Sequence, residues 1–190
     1  MKQRTSLLLA SLLILLSACG SLPKLGAAPA LFDFGIAPTT TATPVAVKLA
    51  RVEAIPGLEG YAMRYRLAYQ NPAQVFAYTE SRWAATPADL LAQRLRYQGF
   101  APTTAECSLR VVLETFDQVF DSSTSSRAVI GLRADLVGIG RDAKTFSTQI
   151  IKEKAADSAD AKGGVAALTA ATDEAIAELK GWVEAQKCGA

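Results

Sequence analysis

Apolar and polar residues alternate most cleanly in Tyr61–Gln70 (YAMRYRLAYQ), where Tyr61, Met63, Tyr65, Leu67 and Tyr69 share one parity and Arg64 and Arg66 the other. A period of two predicts a strand with one buried face and one that is wet or covered by a partner. Similar patterning predicts strands at Leu31–Ile36 and from Val45 to about Ala54, the latter stopped by Pro56-Gly57. After an Asn71-Pro72 turn, Val75–Tyr78 reads as a short hairpin return. In the long apolar stretch Cys107–Phe120, Leu109, Val111 and Leu113 share one parity and Phe116 and Phe120 take the other. That switch predicts a bulge near Glu114. The polar loop Asp121–Ser126, a return strand at Val129–Ile139 with Ile130, Leu132, Ala134 and Leu136 in phase, a Gly140-Arg141-Asp142 turn and a strand at Lys144–Lys154 complete an antiparallel meander.

Two segments change the period from two to 3.6. Thr86-Pro87-Ala88-Asp89 is a helix start, with Thr86 as cap, Pro87 at the first helical position and Asp89 at the positive end, and the helix runs to Tyr97 or Gln98 before Gly99. From about Lys162 to Gln186, Val165, Leu168, Thr172, Ile176, Leu179 and Val183 mark one helix face, with Trp182 beside them. These elements predict an α/β (α+β) two-layer sandwich, with a mixed, largely antiparallel sheet carrying two helices on one face.

The first residues follow a different pattern. Lys2 and Arg4 precede an apolar run from Leu7 to Leu16, and Ser17-Ala18-Cys19-Gly20 closes it. The run is too short for a membrane-spanning helix, which needs about 20 apolar residues, and its layout is that of an export signal over residues 1–18. Small residues before a cysteine resemble the bacterial lipobox, which makes Cys19 the expected lipid-attachment site and new N-terminus; the alternative is an ordinary signal peptide with an incidental cysteine. Residues 19–30, small and proline-punctuated, read as a tether able to reach on the order of 35 Å, and residues 31–190 as one folded domain.

Charge and composition narrow the chemistry. The chain has 20 basic and 18 acidic residues and no histidine. Lys2 and Arg4 lie in the export signal, so the remaining side chains balance, and no basic run points to nucleic acid. In an oxidising compartment Cys107 and Cys188 could form a disulfide or stay as two thiols, and the missing histidine rules out a Cys-His nucleophile pair. Gly138–Ala143 (GIGRDA) fits the dinucleotide fingerprint in letters only, because a strand rather than a helix is expected after it. No P-loop, no G-x-S-x-G and no clustered soft metal ligands occur, so no metal or cofactor is expected, although paired carboxylates could still meet in space. In Tyr78–Ala84, Arg82 and Trp83 are of the types that dominate interfaces; Trp83 equally suits packing beneath the helix it precedes.

Several ordered pieces resemble the ABC-type transport auxiliary lipoproteins related to PqiC. They are the lipobox at Cys19, the opening LFDFGI, the strand ending Val52-Glu-Ala-Ile-Pro56 with Leu58, Tyr65-Arg66, and Arg82-Trp83-Ala84. Leu90 and Leu91 of the first helix, Leu113-Glu-Thr-Phe116 and the Ala-rich terminal helix with Trp182 complete the set. The resemblance implies a non-enzymatic lipoprotein serving an MCE-type system that moves lipids or other hydrophobic molecules between the inner and outer membranes. Its partners would be an MCE-domain protein and its ABC transporter, the membrane through the lipid, and further copies of itself in a homo-oligomer. Arg82, Trp83, Arg64 and Arg66 are the candidate interface. Gly20 stands where an aspartate commonly retains lipoproteins in the inner membrane, which favours the periplasmic face of the outer membrane. Two other readings stay open, an independent periplasmic lipid-binding or chaperone-like carrier and an envelope hydrolase.

Overall fold

The computed structural model describes residues 27–36, 43–100, 105–140 and 144–186. Its strands are β1 (Ala30–Phe32), β2 (Lys48–Ala54), β3 (Ala62–Leu67), β4 (Phe76–Trp83), β5 (Cys107–Phe120), β6 (Ser126–Gly138) and β7 (Thr145–Ala155). Its helices are α1 (Pro87–Tyr97) and α2 (Ala161–Ala185).

The architecture is organised about β5, whose apolar side chains leave it buried on one face along most of its length. One edge of β5 pairs antiparallel with β6 from Cys107↔Gly138 to Phe120↔Ser126. The other edge is shared end to end by two parallel strands, β2 against Ser108–Leu113 and β3 against Gln118–Phe120. Beyond β3 lie β4, antiparallel to it, and β1, parallel to β4; beyond β6 lies antiparallel β7. The seven-stranded sheet is therefore mixed; its antiparallel pairs are β3–β4 and the expected meander β5–β6–β7.

The bulge falls where the parity switch predicts it. The β5–β6 register shifts between Leu113 and Thr115, so Leu113 pairs with Leu132 and Phe116 with Ile130. The extra residue, Glu114, lets Leu109, Val111, Leu113 and Phe116 all remain buried despite their change of parity.

Both helices start from a side-chain cap. Thr86 Oγ1 accepts from Asp89 N–H at 3.2 Å, and Asp160 Oδ1 accepts from Gly163 N–H at 2.8 Å. Leu90, Leu91 and Leu95 of α1 and Leu168, Ile176 and Leu179 of α2 are buried in the same core as Ile130, Leu132 and Leu136 of β6. At the end of α1, Gly99 has φ +99° and a Cβ there would lie 2.5 Å from the Thr43 carbonyl oxygen. Val45 N–H donates to the Gly99 carbonyl at this close approach, which draws residues 43–47 out of strand pairing; β2 consequently begins at Lys48 rather than Val45.

Two other elements differ from expectation. The first strand stops at Phe32 because Gly35, at φ +70°, turns the chain and donates its N–H to Asp33 Oδ1. The fourth continues past Tyr78 to Trp83, because its last residues pair with β1 and with Ala62.

Candidate functional site

Pieces of sequence far apart in the chain meet at one corner of the core. Phe34 follows β1, Trp83 ends β4 and Phe116 follows the β5 bulge; the Phe34–Trp83 and Phe34–Phe116 ring centroids lie 6.0 Å apart and Trp83–Phe116 5.3 Å. Trp83 is 1 % exposed, so of its two expected roles the structure takes core packing, and the indole has no surface to offer a partner. Arg82, one position earlier on the strand, points the other way and is exposed. It lies between Leu31 on β1 and Ala62 on β3 in the strand register, both also exposed.

Above this aromatic corner, Asp33–Ile36 and α1 bound a cleft of about 250 Å³, lined among others by Phe34, Ile36, Leu90, Arg94 and Tyr97. Arg94 is held from behind, donating from Nε to Asp173 Oδ1 and from Nη2 to Oδ2, both at 2.6 Å. These hydrogen bonds outweigh burial and hold its guanidinium above the ordinary pKa.

Arg64 and Arg66 do not form a free cationic face. Both fold onto Asp117 of β5, which is 1 % exposed. Arg66 Nε donates to Oδ2 at 2.7 Å, Arg64 Nη2 donates to the same oxygen at 3.3 Å, and Arg64 Nε lies 2.9 Å from Oδ1 in an ion pair that is poorly aligned as a hydrogen bond. Arg64 Nη1 also donates to the Gly57 carbonyl and Arg66 Nη1 to that of Pro72. The expectation of a wet or partner-covered face is corrected to a half-buried cluster in which one carboxylate faces two guanidinium groups. Along the β3–β4 ladder Ala62 pairs with Arg82 and Arg64 with Ala77, with a register shift between the two pairs.

On the opposite face of β3, Tyr65 contacts Phe76, Tyr78 and Phe120, with centroids 5.2, 4.7 and 5.8 Å away. Tyr78 donates its hydroxyl to Gln118 Oε1 at 2.9 Å, and Gln118 Nε2 donates to Ser126 Oγ and to the Asp160 carbonyl at the start of α2. Burial, then the nearby Tyr65 and Asp160, push the Tyr78 hydroxyl up to about 12. Sequence reasoning missed Asp117 and Gln118, although two consecutive polar residues inside the apolar run Phe116–Phe120 are the signal that could have found them.

Cys107 is buried and disulfide-bonded. Its expected partner Cys188, and the expected lipid site Cys19, lie outside the described residues. Among the described residues no three His, Cys, Asp or Glu side chains converge as a metal site, and no helix is long and apolar enough to cross a membrane.

No protein-family model matches the chain, and no curated protein does. Solved structures do share its fold. A Xanthomonas campestris protein described as a DUF330 family member superposes with a TM-score of 0.68 at 19% identity, covering 82% of this chain and 97% of the other. An uncharacterized protein superposes with a TM-score of 0.63 at 13% identity, covering 82% and 99%. At these identities the likeness is one of fold.

Proposed function

We propose that the chain is a non-enzymatic lipoprotein, anchored through Cys19 to the periplasmic face of the outer membrane, that serves as the auxiliary component of an MCE-type, ABC-energised transport system for lipids or other hydrophobic molecules. The observation that carries this reading is the convergence of the pieces by which the chain resembles the PqiC-related lipoproteins. Phe34 from LFDFGI, Trp83 from RWA and Phe116 from LETF form one contact cluster, in the core that also takes Leu90 and Leu91. The DUF330 likeness of the fold supports the same reading.

The protein acts by tethering. The lipid fixes one end, and the domain aligns or receives the end of a conduit built by the MCE-domain protein. Docking is favoured over carriage by the packing between helices and sheet, which is filled by Trp83, Phe100, Phe116, Leu95, Leu113, Ile176 and other fully buried side chains. Among the described residues, the cleft beside α1 holds about 250 Å³, below the roughly 300–1,000 Å³ of pockets that enclose drug-sized ligands.

The test is photo-crosslinking in intact cells from probes at Arg82 and at Arg64, with captured proteins identified by mass spectrometry. Capture of an MCE-domain protein supports the reading. Capture of only peptidoglycan-associated proteins removes it, as does full transport activity from a soluble Cys19→Ala variant.

A further inference from the structure

Cys107 opens β5 and is disulfide-bonded. The chain has two other cysteines, Cys19 and Cys188, both outside the described residues. The described elements decide between them.

Cys107 shares the parity of Leu109, Val111 and Leu113, all buried, so its side chain lies on the helix-bearing face of β5. On that face α2 runs from the far end of β5 back toward Cys107. Its start is held at Gln118, whose Nε2 donates to the Asp160 carbonyl at 3.1 Å. Across the sheet Gln118 lies in one row with Ala128 and Lys154, and Phe116 in one row with Ile130 and Lys152. Lys154 pairs with Glu174 and Lys152 with Glu178, so α2 steps from the Gln118 row to the Phe116 row as it advances. Farther along, Lys180 Nζ donates to the Thr43 carbonyl at 3.2 Å, and the chain from Thr43 leads to Lys48, which pairs with Ser108 beside Cys107.

The lengths agree as well. The 25 residues of α2 extend about 37 Å at about 1.5 Å each, and the strand from Gln118 back to Cys107 also extends about 37 Å at about 3.4 Å per residue. Val183, in the last turn of α2, is buried in the same core as Cys107. Cys188 stands three residues past Ala185, a reach of at most about 10 Å. Cys19 precedes β1, which β4 and β3 separate from β5.

We infer that Cys107 is bonded to Cys188, and that this disulfide staples the chain just past α2 to the first residue of β5, closing β5, β6, β7 and α2 into one covalent ring. The strands β1 to β4 and the helix α1 lie outside that ring. Folding brings the two sulfurs together and thiol–disulfide exchange joins them. Each thiol gives up one proton and one electron, the S–S bond forms, and the two electrons reduce the disulfide of an oxidant protein of the dithiol/disulfide class to its dithiol. The finished bond is shielded, since Cys107 is 2 % exposed. In a reducing compartment the ring stays open, so the domain reaches its full stability only in an oxidising one. The pairing uses β5 and α2 alone and is independent of the transport reading, and it leaves the Cys19 thiol for lipid.

The test uses the full chain in mild detergent, from cells whose free thiols were first blocked with N-ethylmaleimide. Trypsin digestion without reductant is expected to give Tyr97–Arg110 linked to Cys188–Ala190, and reduction to separate the two. Because Cys107 sits in the core, stability is read on Cys188→Ser. Its melting midpoint is expected to fall by about 10 °C, through loss of a closed loop of about 80 residues. Wild-type chain reduced in urea and refolded with reductant is expected to melt with that variant, and Cys188→Ser to melt alike with and without reductant, which loss of packing alone does not produce. Cys107 linked to Cys19 overturns the inference and removes the lipid anchor with it. Cys107 linked to a second chain, both thiols recovered blocked, or a reduced and refolded wild type that melts like the untreated one overturns the inference alone. A Cys107–Cys188 link in a chain without lipid on Cys19 upholds it and removes only the anchor.

Discussion

Arg94 on α1 and Asp173 on α2, 79 residues apart in sequence, form a two-pronged ion pair with both contacts at 2.6 Å. Gln98 Nε2 donates to the same carboxylate at 2.7 Å, so one acidic side chain on α2 gathers the last turn of α1. The Arg94 side chain is 8 % exposed and that of Asp173 36 %. Removing the carboxylate strands a desolvated guanidinium, which in a fully buried pair costs roughly 3–5 kcal/mol. Because Asp173 keeps a third of its exposure, Asp173→Ala is expected to cost less, about 2–3 kcal/mol in urea unfolding. The double variant Arg94→Met/Asp173→Leu should retain more stability than Asp173→Ala; equal losses would mean the pair carries no coupling.

Two glycines of α2 should respond with opposite signs to the same substitution. A Cβ on Gly164 would lie 2.1 Å from Gln118 Oε1, and Gln118 cannot withdraw without surrendering its bonds to Tyr78, Ser126 and Asp160. Gly164→Ala is expected to cost about 2 kcal/mol through that buried network. A Cβ on Gly181 meets nothing within 4 Å, and Gly181→Ala is expected to stabilise the helix by about 0.5–1 kcal/mol. Thermal unfolding of the two variants checks both signs.

Features written in local periodicity were legible in the sequence. The parity switch between Leu113 and Phe116 located the Glu114 bulge, and Thr86-Pro87 located the start of α1, because neighbours within a few residues determine both. The layered arrangement followed from the same periods. What sequence could not supply were partners distant along the chain. Arg64 and Arg66 looked like a solvated face because their counter-charge, Asp117, comes from a parallel strand some fifty residues later, paired across β3–β5. Trp83 suited an interface and core packing equally, because nothing local revealed that β1 returns beside β4 and brings Phe34 against it.

Tyr78 gives the fold a dependence on alkaline pH. Its hydroxyl, buried and donating to Gln118, is raised from 10.0 to about 12. Between these values the unfolded chain has released this proton and the folded chain still holds it. The contribution of Tyr78 is therefore fully present below pH 10 and is lost as pH rises toward about 12. Ultraviolet titration of the five tyrosines should show one late phenolate step, absent in Tyr78→Phe. The fall in stability between pH 10 and 12 should be shallower in that variant. A wild type whose tyrosines all ionise together near pH 10 would contradict the assignment.

Asp117 is the point at which electrostatics and fold meet most tightly. Its carboxylate, 1 % exposed, neutralises one of two guanidinium groups that β3 places side by side, and their other donors are fixed to the Gly57 and Pro72 carbonyls. Asp117→Asn keeps the shape and removes the charge, leaving two half-buried cations in mutual repulsion, at a cost of about 3 kcal/mol. Repulsion between such partly exposed groups is screened by salt. Raising the salt to about 1 M should therefore recover part of the stability of Asp117→Asn and do less for the wild type, whose one carboxylate lies at contact distance from both cations. Removing one cation as well, in Asp117→Asn/Arg66→Met, should restore stability relative to Asp117→Asn alone, because the repelling pair is gone. If the second change lowers stability further, Arg66 is held by packing of its stem rather than by its charge, and the cluster is a steric brace between β3 and β5.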